Sequence, residues 1–275
     1  MNASLISEAL LFALGLGTGL LVGVIVNLLG RAIPLEMEAE WRRHVTRLSH
    51  TDVVVRPTML KVASDALYVE CQCCLHPTPL ANFSPLLELL LRDGRCPSCD
   101  ERTVPAKFAL PELICIAASI AILFRYGPSV GAAAGIFYSG CLVLLALTSV
   151  RQQLMPNMVT YTLLWAGLGI NIEATFVPLD QAVLGAAAGY VLPWSIYWLV
   201  KLASGRKILG YGNFKAMAAI GAWVGLDMAI AACLMALLLK AVDWFPYRTE
   251  GAEVGSFCPL GVQLAGVGIA AFAFL

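Results

Sequence analysis

Long apolar runs near residues 8–29, 108–125, 130–150, 158–176, 182–200, 216–239 and 256–275 constrain this chain more than any other feature. About 20 such residues, wound as a helix, cross the hydrocarbon core of a bilayer. The run from Ala216 to Leu239 is interrupted by Gly225 and Asp227, which predicts two short helices there and about eight crossings in all. Composition supports the same class: 59% of residues are hydrophobic, 13% are charged and mean hydropathy is +0.79. A soluble core of this size would be framed by far more charge, so the expected fold is an all-α polytopic membrane protein. Membrane lipid is then a partner, and a net charge of zero gives no electrostatic argument for nucleic acid.

Lys and Arg set the expected orientation. None precedes Arg31, so the N-terminus is expected outside. Segments 31–107, 151–157, 201–215 and 240–255 then share one face and hold every Lys and Arg except Arg125. Such one-sidedness marks the cytoplasmic side. The first span lacks a basic leading region and a small-residue cleavage site, so it reads as a retained helix rather than a signal peptide. Three regions follow: a first transmembrane helix over 1–30, a polar module over 31–107, and a helical membrane domain over 108–275.

The polar module opens with a basic stretch, Met37 to Lys61, which reads as a helix on the anionic inner leaflet, with His44 and His50 as surface residues. It then carries Cys71-Gln72-Cys73-Cys74 and Cys96-Pro97-Ser98-Cys99. Taking Cys71 with Cys74 gives C-x2-C-x21-C-x2-C, two knuckle-like pairs that together supply four thiolates to a tetrahedral Zn²⁺. Two disulfides are the alternative, and a reducing cytoplasm argues against them. Cys73 is surplus and competes with Cys71 only at poorer spacing, while His76 is a further candidate ligand. Four cysteines leave the metal no open position, so the expected role is structural. Cys115, Cys141, Cys233 and Cys258 fall in apolar spans and read as small core residues.

Two further segments carry chemistry. One is the glycine-flanked turn Gly210-Tyr211-Gly212-Asn213-Phe214-Lys215; the other is Leu154-Met155-Pro156-Asn157, preceded by Ser149 and Arg151. Together with Gly23-Val24-Ile25-Val26-Asn27, Arg31, Pro34, Asn82, Pro85-Leu86-Leu87, the four cysteines and Pro111-Glu112, these segments resemble the type IV prepilin peptidase and N-methyltransferase family. That resemblance covers nearly the whole chain. It implies a Gly-x-Gly-Asp type intramembrane aspartic protease of the bacterial inner membrane, with the cysteine module cytoplasmic. Its substrates would be the prepilins of type IV pili or the pseudopilins of type II secretion. It also implies methyl transfer to the new N-terminus from S-adenosylmethionine.

The departures fall on the protease chemistry. The family assigns cleavage to two aspartates, one opening an Asp-x-Asp ahead of Leu-Pro-Asp and one in Gly-x-Gly-Asp. Here Ser149 and Arg151 stand at the Asp-x-Asp, Asn157 follows the proline, and Asn213 occupies the glycine turn. An acid pair needs one carboxylate to activate water and another to protonate the leaving group. Serine and asparagine offer neither, and arginine stays protonated. A Ser149–Lys215 dyad is a conceivable substitute. The plainer reading packs Ser149 at a helix end and lets Lys215 snorkel to the headgroups. Of the remaining acids past Lys107, Glu112 matches a family glutamate, and Glu173, Asp180, Asp227, Asp243, Glu250 and Glu253 lie away from the two substituted helix ends. The last span begins at Ser256-Phe257-Cys258-Pro259-Leu260-Gly261, only part of the family's Pro-Phe-Gly-Pro-like lead-in. The expectation is a family member with an impaired peptidase centre. The alternatives are an active enzyme using other residues and a non-enzymatic scaffold for pilus or secretion assembly.

Overall fold

The computed structural model describes residues 2–48, 68–71, 73–74, 77–79, 84–96, 98–101, 108–153, 155–205, 210–250 and 260–274. The chain forms two compact units, Met1–Ala132 and Ala133–Leu275.

In the first unit, helix α1 (Asn2–Leu48) runs unbroken through the expected first span and into the expected basic helix, whose remainder lies outside the described residues. A ribbon of β1 (Tyr68–Glu70) and β2 (Pro77–Pro79) pairs antiparallel, Tyr68 opposite Pro79 and Glu70 opposite Pro77. Helix α2 (Pro85–Arg92) starts where Pro85 presets the backbone, and the Ser84 hydroxyl accepts from the Leu87 N–H. Asp93 ends it in the left-handed region. Helix α3 (Leu110–Tyr126) packs antiparallel on α1 through glycines spaced by four. A Cβ on Gly15 would lie 2.8 Å from Ile120 Cγ1, on Gly19 2.5 Å from Ile116 Cα, and on Gly23 2.8 Å from Glu112 Cα. Only glycine lets the two backbones approach this closely, the usual substitute for a hydrophobic drive between helices in lipid.

The second unit holds α4 (Val130–Gln152), which opens at the unit boundary, α5 (Asn157–Ile170), a short 3₁₀ turn at Asn171–Glu173, α6 (Leu179–Ser204), α7 (Tyr211–Glu250) and α8 (Leu260–Ala273). Gly185 of α6 and Gly221 of α7 meet backbone to backbone, and Gly189 rests on Met217. Trp223 is buried against Tyr138, and its indole N–H donates to the Leu163 carbonyl at 2.8 Å. Buried Asn171 donates to the Ala222 carbonyl and accepts from the N–H groups of Phe176 and Val177, tying the connection before α6 to α7.

The all-α class is as expected, with the ribbon the sole β element among the described residues. The break in the 216–239 run is also found: Gly225 takes φ 78° and divides α7 into two helices, a conformation that suits glycine. The count of crossings differs. Among the described residues, four helical stretches are long and apolar enough to span a bilayer: Ser7–Trp41, Val130–Gln152, Leu179–Ala203 and, taken across its break, Tyr211–Lys240. Helices α3, α5 and α8 have 17, 14 and 14 residues, below the length of about 20 that a crossing asks for. The run near 158–176 continues past the end of α5 into the 3₁₀ turn at Asn171–Glu173, which hydropathy alone does not separate from helix.

Candidate metal centre and peptidase-like site

The Sγ atoms of Cys71, Cys74, Cys96 and Cys99 all lie within 4.8 Å of one another. Cys71 stands 3.4 Å from Cys99, and Cys74 stands 3.6 Å from Cys96. Four sulfurs about 2.3 Å from a tetrahedral zinc would be about 3.8 Å apart, so this cluster has the size of a zinc tetrahedron. Strand β1 delivers Cys71, and the left-handed Asp93 and Gly94 after α2 deliver Cys96. The second knuckle closes through Cys96 N–H to the Glu101 carbonyl at 2.9 Å and Asp100 N–H to the Cys96 carbonyl at 3.0 Å, with Arg95 bridging to Asp100. Backbone N–H groups of Cys74 and Cys73 pull Cys71 down to about 7, and those of Ser98 and Cys99 also lower Cys96 against the effect of burial. Both shifts favour the thiolate, which is the metal-binding form. Cys73 is exposed and outside the cluster, and His76 lies outside the described residues, as do His50 and Cys258.

A carboxylate ties this module to the helices. Glu112, in the first turn of α3, is fully buried and accepts three hydrogen bonds. Its Oε1 takes Asn27 Nδ2 at 3.1 Å; its Oε2 takes Ser84 Oγ at 2.8 Å and Leu86 N–H at 2.9 Å. Glu112 thereby supplies negative charge at the N-terminus of α2, where the helix dipole favours it. Arg31, one turn beyond Asn27 on α1, lies within electrostatic reach of Glu112 and over the Phe108 ring at 5.6 Å. Its Nη1 and the Oδ1 of Asn27 are buried without hydrogen-bond partners among the described residues.

The second unit carries the peptidase-like segments. Ser149 sits in the last turns of α4 and is 5% exposed; Arg151 follows, half-buried. Gln153 turns left-handed and Pro156 holds the extended conformation before α5, so Asn157 becomes the first residue of that helix. The glycine turn opens α7, with Asn213 N–H donating to the Gly210 carbonyl at 3.1 Å. Two close approaches bring the segments together. A Cβ on Gly212 would lie 2.9 Å from Met155 Cβ, and a Cβ on Gly261 of α8 would lie 2.5 Å from Ser149 Cβ and 3.1 Å from Met155 Cε. Met155 is thus wedged between the starts of α7 and α8, with Ser149 beneath Gly261. Asn213, half-buried, lines a small apolar cavity with Pro193, Met217, Leu237, Leu260 and Leu264.

Lys215 does not simply reach for lipid. Its Nζ donates to Asn157 Oδ1 at 2.9 Å and lies 5.2 Å over the Tyr161 ring. Asn157 and Tyr161 are one turn apart on α5, so an acceptor and a ring face present themselves together. No hydrogen bond joins Lys215 to Ser149 among the described residues, so the conceivable dyad is not assembled. Ser149 packs at a helix end, as the plainer reading expects. Tyr161 is a site neighbour that sequence patterns do not reveal; Met155 and Gly261 stand in segments the sequence singles out, but their approach to Gly212 and Ser149 is not legible there.

A family model described as the type IV leader peptidase family matches residues 136–244. A prepilin leader peptidase/N-methyltransferase of Pseudomonas putida is 34% identical over 250 residues, covering 90% of this chain and 85% of the relative. The chain belongs to the prepilin leader peptidase/N-methyltransferase family. A relative of the same name from Aeromonas hydrophila is 34% identical over 84% of the chain and 79% of its own length. Another, from Dichelobacter nodosus, is 30% identical over 98% and 95%. No solved structure matches. The segment 136–244 runs from α4 to α7, so the family match contains Ser149, Arg151, Asn157 and the Gly210–Lys215 turn. The cysteine cluster and Glu112 precede it, within the stretch that the nearly full-length relative covers.

Proposed function

We propose that this chain is a family member whose peptidase centre is silent and whose methyl-transfer half is retained. It would bind prepilins or pseudopilins of a type IV pilus or type II secretion system. It would methylate N-termini freed by a separate peptidase, with S-adenosylmethionine as donor. The observation that carries the silent centre is the surroundings of Ser149 and Asn213. Ser149 is buried under Gly261, Asn213 faces an apolar cavity, and the second unit's acids with described side chains are exposed elsewhere. Asp227 lies 14 residues beyond Asn213, and Glu173 lies past the far end of α5, each about 20 Å away along its helix. With no carboxylate at either helix end among the described side chains, water activation and leaving-group protonation both lack a group.

The retained half is supported by the assembled cysteine cluster and by Glu112, which holds the module's helix against α1 and α3. Soft thiolates at tetrahedral spacing suit structural Zn²⁺, which would brace the module without touching substrate. The positions Gly210, Gly212, Lys215, Arg151 and Asn157 would preserve the shape of the leader groove rather than its chemistry. The one-sided Lys and Arg distribution supports a bacterial inner-membrane location with the cysteine module cytoplasmic.

Restoring the acids tests the reading. Ser149→Asp with Asn213→Asp is expected to raise prepilin cleavage by about 100-fold or more over the native chain, the usual worth of general acid–base catalysis. Each single change should do little, because one carboxylate cannot fill both roles. Native chain that cleaves prepilin at family-like rates would refute the silent centre. Pre-cleaved pilin that takes no label from S-adenosylmethionine would refute the retained transfer.

A further inference from the structure

We infer that Asn27 and Arg31 of α1, beside Glu112 of α3, hold the α-amino-acid end of the methyl donor. The inference rests on the retained methyl transfer proposed above and gives that activity a binding site.

Glu112 already accepts three hydrogen bonds, from Asn27, Ser84 and Leu86, and none from Arg31 among the described residues. Two polar atoms beside it are not served. Asn27 is 2% exposed, and among the described residues its Oδ1 is buried without a hydrogen-bond partner, as is Arg31 Nη1. A buried donor or acceptor left unpaired costs about 1–3 kcal/mol, and more when charged. A trapped water would answer the amide oxygen. A guanidinium donor is better answered by a charged acceptor, and Glu112 makes its hydrogen bonds to other groups.

The unmet set is one neutral acceptor and one cationic donor, one helical turn apart, next to a carboxylate. An α-amino acid is its complement. The ammonium group donates to Asn27 Oδ1 and is balanced by Glu112, while the carboxylate accepts from Arg31, whose fork geometry suits it. Charge is also conserved: a neutral Arg31–Glu112 pair receives a group that is itself net neutral, so no unpaired charge is buried. A phosphate fits less well, because it would face Asn27 Oδ1 acceptor to acceptor and bring negative charge to Glu112. Gly23 keeps the arrangement tight, since a Cβ there would lie 2.9 Å from Glu112 Cγ. The same carboxylate caps α2, which leads into Cys96, so donor binding and the cysteine module share one anchor.

The test is a binding titration of the full-length, metal-loaded protein in nanodiscs. The ligands are S-adenosylmethionine, its decarboxylated form, and 5′-methylthioadenosine, which lacks the whole amino-acid end. The native protein should prefer the intact donor to the decarboxylated form by about 30-fold or more, the usual cost of breaking a buried charge pair. Arg31→Gln should abolish that preference, binding both forms equally, and Arg31→Lys should fall between. Metal content per chain reports whether each variant folds; if Arg31→Gln does not, Arg31→Lys and the native ranking decide the matter. An Arg31 variant that keeps the full preference, or a native protein without one, overturns the site while leaving methyl transfer standing. A native protein that binds none of the three ligands overturns both.

Discussion

An asparagine differs from an aspartate by few atoms but lacks its acid chemistry, and the surroundings of Asn213 show how little the fold need change with it. Its turn keeps both glycines, its backbone bond to Gly210, and contact with Met155 through Gly212. Ser149 differs: it has been absorbed into packing, directly beneath Gly261. Gly261→Ala should therefore destabilise the protein by about 1–3 kcal/mol through overpacking. Ser149→Gly should recover much of that loss in the double variant, read as a coupling in thermal unfolding. Equal losses with and without Ser149→Gly would mean that the two residues do not meet. Residue identities were legible in the sequence, and contacts between them were not. The resemblance puts Ser149, Arg151 and Asn213 where the family has acids, whereas the Lys215–Asn157 bond could not be read, because 58 residues of chain separate the partners.

Elements carry the second set of consequences. Helix α2 is eight residues long and depends on its ends: Ser84 and Glu112 at one, Asp93 and the Cys96 knuckle at the other. Glu112→Gln keeps the shape but loses the charge that three donors converge on, and should cost roughly 2 kcal/mol or more. Hydrogen exchange over 84–92 checks this, with faster exchange expected in the variant and unchanged exchange counting against it. Cys96→Ser should lose most of the bound metal, and Cys73→Ser should lose none, as counted by metal per chain. The C-x2-C spacings made this cluster readable from sequence, since each pair is local. Glu112, Asn27 and Arg31 were visible as carriers of the resemblance, yet their meeting joins residues 85 apart and follows from the glycine seam of α1. The Gly225 break was legible because a glycine beside a charge in an apolar run has few other uses. Helix ends were not: α5 stops at Ile170, while its apolar run continues through the 3₁₀ turn at Asn171–Glu173.

For the whole molecule, the proposed division of labour follows the two compact units. The first holds the cysteine cluster and the Glu112 node; the second holds the peptidase-like helices. The proposed cytoplasmic placement of the cysteine module predicts that exposed Cys73 in intact cells reacts with membrane-permeant but not impermeant thiol reagents. Equal labelling by both would reverse the orientation. A protein of this family that has lost proteolysis and kept methyl transfer should leave one chemical signature on each of two substrates. Mass spectrometry reads both at once, on intact prepilin and pre-cleaved pilin, each incubated with the purified native protein and S-adenosylmethionine. The expected products are prepilin with its leader still attached and pilin heavier by one methyl group at its N-terminus. Prepilin shortened at the leader boundary, or pilin of unchanged mass, would contradict the proposed division of function.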